Sequence, residues 1–390
     1  MFQILTLNAI AESGLAHLRE AGCTLTSDDH DCDAIILRSH NLHEAEFPDR
    51  VQAVARAGAG VNNIPVDRLS EKGIVVFNTP GANANAVKEL VTAGLILSSR
   101  GIFEGISWAR SLDPAMDHGE FHKTLEKEKK QFKGSEITGK TLGVVGLGAI
   151  GSLVADVALK LGMKVIGYDP ALSVESAWRL PSEVSRMENL TSLLSRSDYI
   201  TLHLPVLEQT RRLINGDALG QIRPGAVLLN FARDEIIDPA AVAAALQDGR
   251  LRRYVTDFPE PSLQKVPGVI ATPHIGASTA EAEENCAIMA SMQLVDYLRN
   301  GNIRNAVNFP AISLERNGGH RLTFANTNVP RILGGVLSIL AERNINVIDM
   351  INRSRGEMAY NIIDIDTAAD AALIDAIQQT EGVIRVRALS

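Results

Sequence analysis

The residues of this chain whose types suit chemistry are a histidine, an arginine and two acids, each lying just past a short apolar run. His274 lies in Thr272-Pro-His-Ile-Gly-Ala-Ser-Thr279, Arg233 closes Leu229-Asn-Phe-Ala-Arg233, and Asp257 and Glu260 sit in Thr256-Asp-Phe-Pro-Glu-Pro261. A neutral imidazole can take the hydroxyl proton of a secondary alcohol near neutral pH, which makes His274 the candidate base. A carboxylate on the second ring nitrogen would fix its tautomer, the part expected of Glu260. A planar guanidinium holds a carboxylate while polarising a developing carbonyl, and Arg233 suits that role. His203, in Thr201-Leu-His-Leu-Pro205, competes as a base but better suits the wall of a cofactor site. Taken singly, each has a plain explanation as an exposed or capping loop residue. Their shared position past strands, where doubly wound sheets place ligands, makes them a candidate site.

The cofactor is implied by Thr141-Leu-Gly-Val-Val-Gly-Leu-Gly-Ala-Ile-Gly151, followed by Asp169 at the end of Met163-Lys-Val-Ile-Gly-Tyr-Asp169. This reads as strand, glycine turn, helix and second strand ending in an acid, the order of a dinucleotide-binding βαβ unit. Gly146 allows the tight turn, Gly148 lets a pyrophosphate approach the backbone, and Gly151 lets helix and strand pack closely. The pyrophosphate would sit at the positive end of the helix. Asp169 would accept hydrogen bonds from ribose hydroxyls and repel a 2′-phosphate, so NAD is expected rather than NADP.

These residues need a scaffold of two or three domains, because 390 residues exceed one ordinary core. The strands Phe2–Asn8, Ala34–Arg38, Val51–Ala57 and Gly73–Asn78, with helices Ser13–Ala21 and Val66–Lys72, predict a first α/β layer structure. Its loops carry Leu37-Arg-Ser-His40 and the glycine-rich Ala57-Gly-Ala-Gly-Val-Asn-Asn-Ile-Pro65, whose amides could hold an anion; a surface pair and an ordinary turn are the plainer readings. Ala84–Gly101 predicts a long apolar helix, and the polar stretch Asp113–Lys133 a solvated connector or subunit-contact arm. After the fingerprint, strands Tyr199–Leu204, Ala226–Phe231, Tyr254–Asp257 and Val269–Thr272 continue a doubly wound sheet. Helix Ala280–Asn300 follows, then a linker at Arg316–His320 and a βαββαβ module to the C-terminus. The expected fold is therefore α/β. It has two doubly wound parallel-sheet domains, flavodoxin-like and Rossmann, plus a ferredoxin-like module. The predicted boundaries are 1–95 with 280–312 for a discontinuous substrate domain, 96–279 for the NAD domain and 319–390 for the module.

Composition narrows the setting. A net charge of −8 argues against a general nucleic-acid surface, and no apolar run reaches membrane-spanning length. Cys23, Cys32 and Cys286 form no Cys-x-x-Cys pair, so reduced thiols are expected and no metal site. With no basic-then-apolar start, a cytoplasmic enzyme is expected.

In combination, Gly58–Pro65, Asn78–Val87, Gly146–Gly151, Asn230-x-Ala-Arg233 and Pro273–Thr279 resemble the D-isomer-specific 2-hydroxyacid dehydrogenase family over essentially the whole chain. The resemblance implies NAD-dependent oxidation of 3-phospho-D-glycerate to 3-phosphohydroxypyruvate, the entry step of serine synthesis, by a homodimer or homotetramer. It implies Arg233, Glu260 and His274 as the catalytic set. Cofactor contacts are implied at Gly146, Gly148, Ala149, Ile150, Gly151, Asp169, His203, Pro205, Thr210, Ala232, Asp257 and Gly276. Substrate contacts are implied at Arg38, His40, Gly60, Val61 and Asn83, with Arg38 on the phosphate. The C-terminal module resembles an ACT domain, with Asn328 and Asn346 at effector positions. Two departures stand out. Asp257 to Glu260 is three steps where the family has five, and the glycine that opens the module's first helix is Arg331, with Asn326 replacing a histidine. The same machinery would also serve a reductase of glyoxylate, hydroxypyruvate or 2-oxoglutarate, and the fold also serves non-catalytic NAD-sensing proteins.

Overall fold

The computed structural model describes residues 1–28 and 30–389. It divides into two compact units, Met1–Asn83 with the chain from Thr279 onward, and Ala84–Ser278. The first begins with β1 (Gln3–Leu7), α1 (Glu12–Glu20), β2 (Thr24–Thr26), β3 (Ala34–Leu37), β4 (Ala53–Arg56), α2 (Val66–Glu71) and β5 (Val75–Phe77). The five strands are parallel in the order β2-β1-β3-β4-β5, the flavodoxin-like arrangement. β3 and β5 are buried at every position, as continuous Ala/Ile/Val/Leu/Phe runs require when both sheet faces are covered.

The second unit opens with α3 (Ala84–Ser99), α4 (Ile102–Ser111) and α5 (His118–Glu128). It continues through β6 (Thr141–Val145), α6 (Ala149–Lys160), β7 (Lys164–Tyr168), α7 (Val174–Ala177), β8 (Ser185–Arg186), α8 (Leu190–Arg196) and β9 (Tyr199–Leu202). It closes with α9 (Gly216–Gly220), β10 (Ala226–Asn230), α10 (Pro239–Gln247), β11 (Leu251–Thr256) and β12 (Val269–Ala271). The seven parallel strands run β12-β11-β10-β9-β6-β7-β8, so the order reverses between β6 and β9. That switch point is where such a sheet binds its ligand. The unit starts at Ala84 rather than at 96, because Val87, Val91 and Leu95 of α3 share a core with Leu142 and Leu229 of this sheet and with Phe231 just past β10. The stretch expected as a connector holds helix α5, capped by Asp117, whose carboxylate accepts from the amides of Gly119 and Glu120.

From Thr279 the chain rejoins the first unit through α11 (Ala280–Asn300). Small residues let α11 lie close on α1: a side chain at Gly14 would collide with Ala287, and the Ser291 hydroxyl donates to the Gly14 carbonyl at 2.9 Å. The remainder is β13 (His320–Thr327), α12 (Ile332–Glu342), β14 (Val347–Arg355), β15 (Met358–Ile365), α13 (Ala371–Gln378) and β16 (Val383–Leu389), an antiparallel sheet ordered β14-β15-β13-β16. This is the ferredoxin-like module. It is not a separate compact body: Ala325, Tyr360 and Ile362 share one core with Phe77, Tyr297, Phe309 and the first sheet.

Candidate functional site

The glycine turn can be tested for its fit to a dinucleotide. Gly146 takes φ +90°, and a side chain there would press on the His203 carbonyl. A Cβ at Gly151 would overlap the Gly146 carbonyl oxygen, so close packing of α6 on β6 demands glycine. A Cβ at Gly148 would meet nothing within 4 Å; the open space beside this backbone is where a pyrophosphate needs to lie. The first turn of α6, with Ala149 and Ile150, has no side-chain cap, which leaves its amides and positive end available to an anion.

Asp169 lies past β7. One carboxylate oxygen accepts the Leu147 amide at 2.8 Å and the other the Ala171 amide at 2.9 Å, so the acid is locked against the glycine turn. Beside it is a cavity of about 230 Å³ lined by Leu147, Gly167, Asp169, Pro170, Leu172, Leu180, Val184 and Arg186. Apolar walls with a carboxylate among them fit an adenosine, and these residues together would hold NAD. Sequence reasoning missed Arg186 and the leucine walls. Arg186 lies in a two-residue strand, and Leu172 and Leu180 stand in a stretch without apolar periodicity.

His203 follows β9. Its Nε2 meets the Thr201 hydroxyl at 2.9 Å and its Nδ1 is buried without a partner. The residue as a whole keeps partial exposure, but burial of the ring depresses its pKa to about 3, so it stays neutral at physiological pH. The Thr210 hydroxyl braces the same loop by donating to the Pro205 carbonyl at 2.7 Å and accepting the Leu207 amide at 2.7 Å.

The β10, β11 and β12 ends gather the chemical residues of this unit. Asn230, fully buried, ties the turn after β10: its amide donates to the Arg233 carbonyl at 2.8 Å and its oxygen accepts the Ala232 amide at 3.1 Å. The Arg233 guanidinium lies 5.7 Å from the Phe258 ring centroid, and that ring lies 4.7 Å from the His274 ring. Phe258 therefore neighbours both the arginine and the histidine, a placement that its bland position in the sequence did not reveal. His274 is exposed and adopts φ +55°, a conformation rare for a residue with a side chain and found preferentially at functional sites. Its loop is held by Asp257, whose carboxylate accepts the Ile275 amide at 2.8 Å, the Gly276 amide at 2.6 Å and the Thr272 hydroxyl at 2.7 Å. With both oxygens engaged and 2% exposure, Asp257 fixes the histidine loop. Glu260 is not joined to His274 by a hydrogen bond among the described residues. It lines a cavity of about 420 Å³ with Arg211, Arg212, Asp234, Glu235, Ile237 and Pro239.

In the first unit, Arg38 and His40 follow β3, Gly60 and Val61 follow β4, and Asn83 lies beyond β5, all past the carboxyl ends of parallel strands. Asn8, at φ +67°, accepts the amides of Ser39 and His40. Arg56 donates from Nε to the Arg38 carbonyl at 2.9 Å and from a terminal nitrogen to the Gly60 carbonyl, binding the two loops together. The Arg38 guanidinium pairs with Glu283 of α11 at 2.7 Å. In the module, the Asn328 amide donates to the Gly356 carbonyl at 3.0 Å, and exposed Asn346 exchanges bonds with Asp366. Among the described residues no group of acids, histidines or cysteines is arranged to hold a metal, and no helix is long and apolar enough to cross a membrane.

Residues 105–276 match the model of the D-isomer specific 2-hydroxyacid dehydrogenase NAD-binding domain. The chain is 33% identical to the D-3-phosphoglycerate dehydrogenase of Haemophilus influenzae, covering 98% of this chain and 93% of that one. It is 32% identical to that of Methanocaldococcus jannaschii, covering 94% and 70%. Among solved structures, the NAD+-bound 3-phosphoglycerate dehydrogenase of Entamoeba histolytica superposes with a TM-score of 0.61 at 27% identity, over 78% of this chain and 98% of that one. A glyoxylate reductase from Paecilomyes thermophila gives 0.65 at 26%, with the same coverage. Built on a glycine cradle that fits NAD and matched along nearly its whole length, the chain belongs to the D-isomer-specific 2-hydroxyacid dehydrogenase family.

Proposed function

We propose that this enzyme oxidises 3-phospho-D-glycerate at C2 to 3-phosphohydroxypyruvate, the first step of L-serine biosynthesis. The observation that carries the reading is the Arg233, Phe258, His274 cluster past β10 to β12, in a chain whose full-length relatives are D-3-phosphoglycerate dehydrogenases. When bound, NAD supplies the hydride acceptor for the C2 hydrogen. His274 takes the hydroxyl proton, Arg233 holds the substrate carboxylate and steadies charge on the forming carbonyl, and Arg38 receives the phosphate. His40, Gly60, Val61 and Asn83 are assigned to the rest of the substrate. Glu260 is assigned to orient His274, a hydrogen bond that would form in the ligand complex, where catalytic hydrogen bonds often tighten. Asp257 is assigned two duties, holding the histidine loop and facing the nicotinamide amide. The module is read as an ACT domain with Asn328 and Asn346 at its effector positions, and the enzyme as a cytoplasmic homodimer or homotetramer.

The test is turnover of phosphohydroxypyruvate with NADH, run beside the reverse reaction with 3-phosphoglycerate and NAD. His274→Ala is expected to lose most turnover while NADH affinity, read by fluorescence titration, stays near that of the unmodified enzyme. Retained turnover rejects His274 as the base. A second reading, reduction of glyoxylate, hydroxypyruvate or 2-oxoglutarate, is favoured by one feature: the Arg38 charge is already paired with Glu283.

A further inference from the structure

We infer that Glu283 sets how strongly this enzyme prefers a phosphorylated substrate, by competing with the phosphate for Arg38. The inference rests on the assignment of Arg38 to the phosphate. Both partners of the pair stand on anchored backbone. The Arg38 carbonyl accepts from Arg56 Nε at 2.9 Å and Asn63 Nδ2 at 3.3 Å. The Glu283 amide bonds the Thr279 carbonyl at 3.1 Å in the capped first turn of α11. Arg38 and Glu283 meet at 2.7 Å, with side-chain exposures of 37% and 42%, so the pair is open to water and can be separated without burying a lone charge.

A phosphate reaching Arg38 has to displace this carboxylate and then remains near it. One negative charge is exchanged for another, and the displaced one repels the dianion. An unphosphorylated substrate never meets this competition. The carboxylate thus lowers the advantage that Arg38 alone would give a phosphorylated substrate. Its neighbour Arg56 does not substitute for Arg38, since its guanidinium donates to the carbonyls of Arg38 and Gly60.

Removing the charge while keeping the shape separates this from a structural role. Glu283→Gln is expected to lower KM for phosphohydroxypyruvate about fivefold, the effect of one unit charge at contact in water, and to move KM for hydroxypyruvate much less. In Arg38→Ala/Glu283→Gln the gain disappears. Glu281→Gln, which removes a charge from the same helical turn, serves as the control for a general field effect and is expected to leave the ratio of the two KM values in place. Inhibition of hydroxypyruvate reduction by inorganic phosphate gives a second readout, tighter in Glu283→Gln, that does not depend on turnover of the phosphorylated compound. Failure of the unmodified enzyme to reduce phosphohydroxypyruvate sinks the proposed function, while the phosphate inhibition still decides the role of Glu283. Equal shifts in both KM values, a rise in KM for phosphohydroxypyruvate, or unchanged phosphate inhibition in Glu283→Gln overturns the inference.

Discussion

Arg331 sits at φ +81°, ψ −20°, immediately before α12, a left-handed conformation that costs a residue with a Cβ on the order of 1–2 kcal/mol. Its side chain caps nothing in return, since no side-chain bond to the helix start is present. Arg331→Gly is therefore expected to raise stability by about 1 kcal/mol, the strain relieved less part of the entropy that glycine adds to the unfolded chain. The check is the thermal midpoint of the full chain; an unchanged or lowered midpoint means that surrounding contacts hold Arg331 in place. At this same scale, the sequence was informative about residue types and less so about aim. Residues 233, 257, 260 and 274 stand out as candidates because each follows a strand. Which group lies against His274 was not legible, because it depends on how the 257–260 segment turns: Phe258 lies beside the ring, and Glu260 lines a cavity with Arg211 and Arg212.

At the scale of elements, the glycine turn separates two demands that a sequence motif merges. Gly151 is required for packing, and Gly148, beside open space, is the glycine proposed for cofactor approach, so their alanine variants should differ. Gly148→Ala places a methyl group in open space and is expected to fold normally but weaken NADH binding at least about tenfold, or 1.4 kcal/mol. Gly151→Ala drives a methyl into the Gly146 carbonyl and is expected to lower the thermal midpoint as well. Calorimetry and NADH titration on both variants test this. Equal stability losses would reject the division of labour. The buried central strands of the two parallel sheets could be read in advance since fully buried strands appear as unbroken apolar runs, whereas the exposed two-residue β8 could not. Helix α5 was obscured by mixed charge and buries no residue in this chain, while α4 carries Ile102, Phe103 and Ile106 at helical spacing but leaves Phe103 and Ile106 exposed. The three-residue β2 was missed for a similar reason: as an edge strand it leaves no position buried.

At the scale of the whole molecule, the union of the C-terminal module with the N-terminal sheet had no signature in the sequence, because it depends on which face of β13 and β15 finds a partner. The structure fastens that union with Arg321, whose side chain is 0% exposed. All five of its N–H donors are used: two on the Asp364 carboxylate at 2.7 Å, and the others on the carbonyls of Asn300, Leu314 and Glu315. One end of this arrangement is the module's own β15, and the other is the end of α11 and the strap that follows it. Arg321→Met leaves the Asp364 carboxylate, 2% exposed, without its partner, and is expected to cost about 3–5 kcal/mol. Because the module shares its core with the first sheet, protection against hydrogen exchange should fall together in 320–389 and in 3–77, while 141–256 keeps its own. Arg321→Met/Asp364→Leu should recover part of the loss, as no buried charge is then left alone, though the three carbonyls still lack their donor. If exchange rises in 320–389 alone, the module opens independently, and Arg321 is an internal brace rather than the fastening of one body.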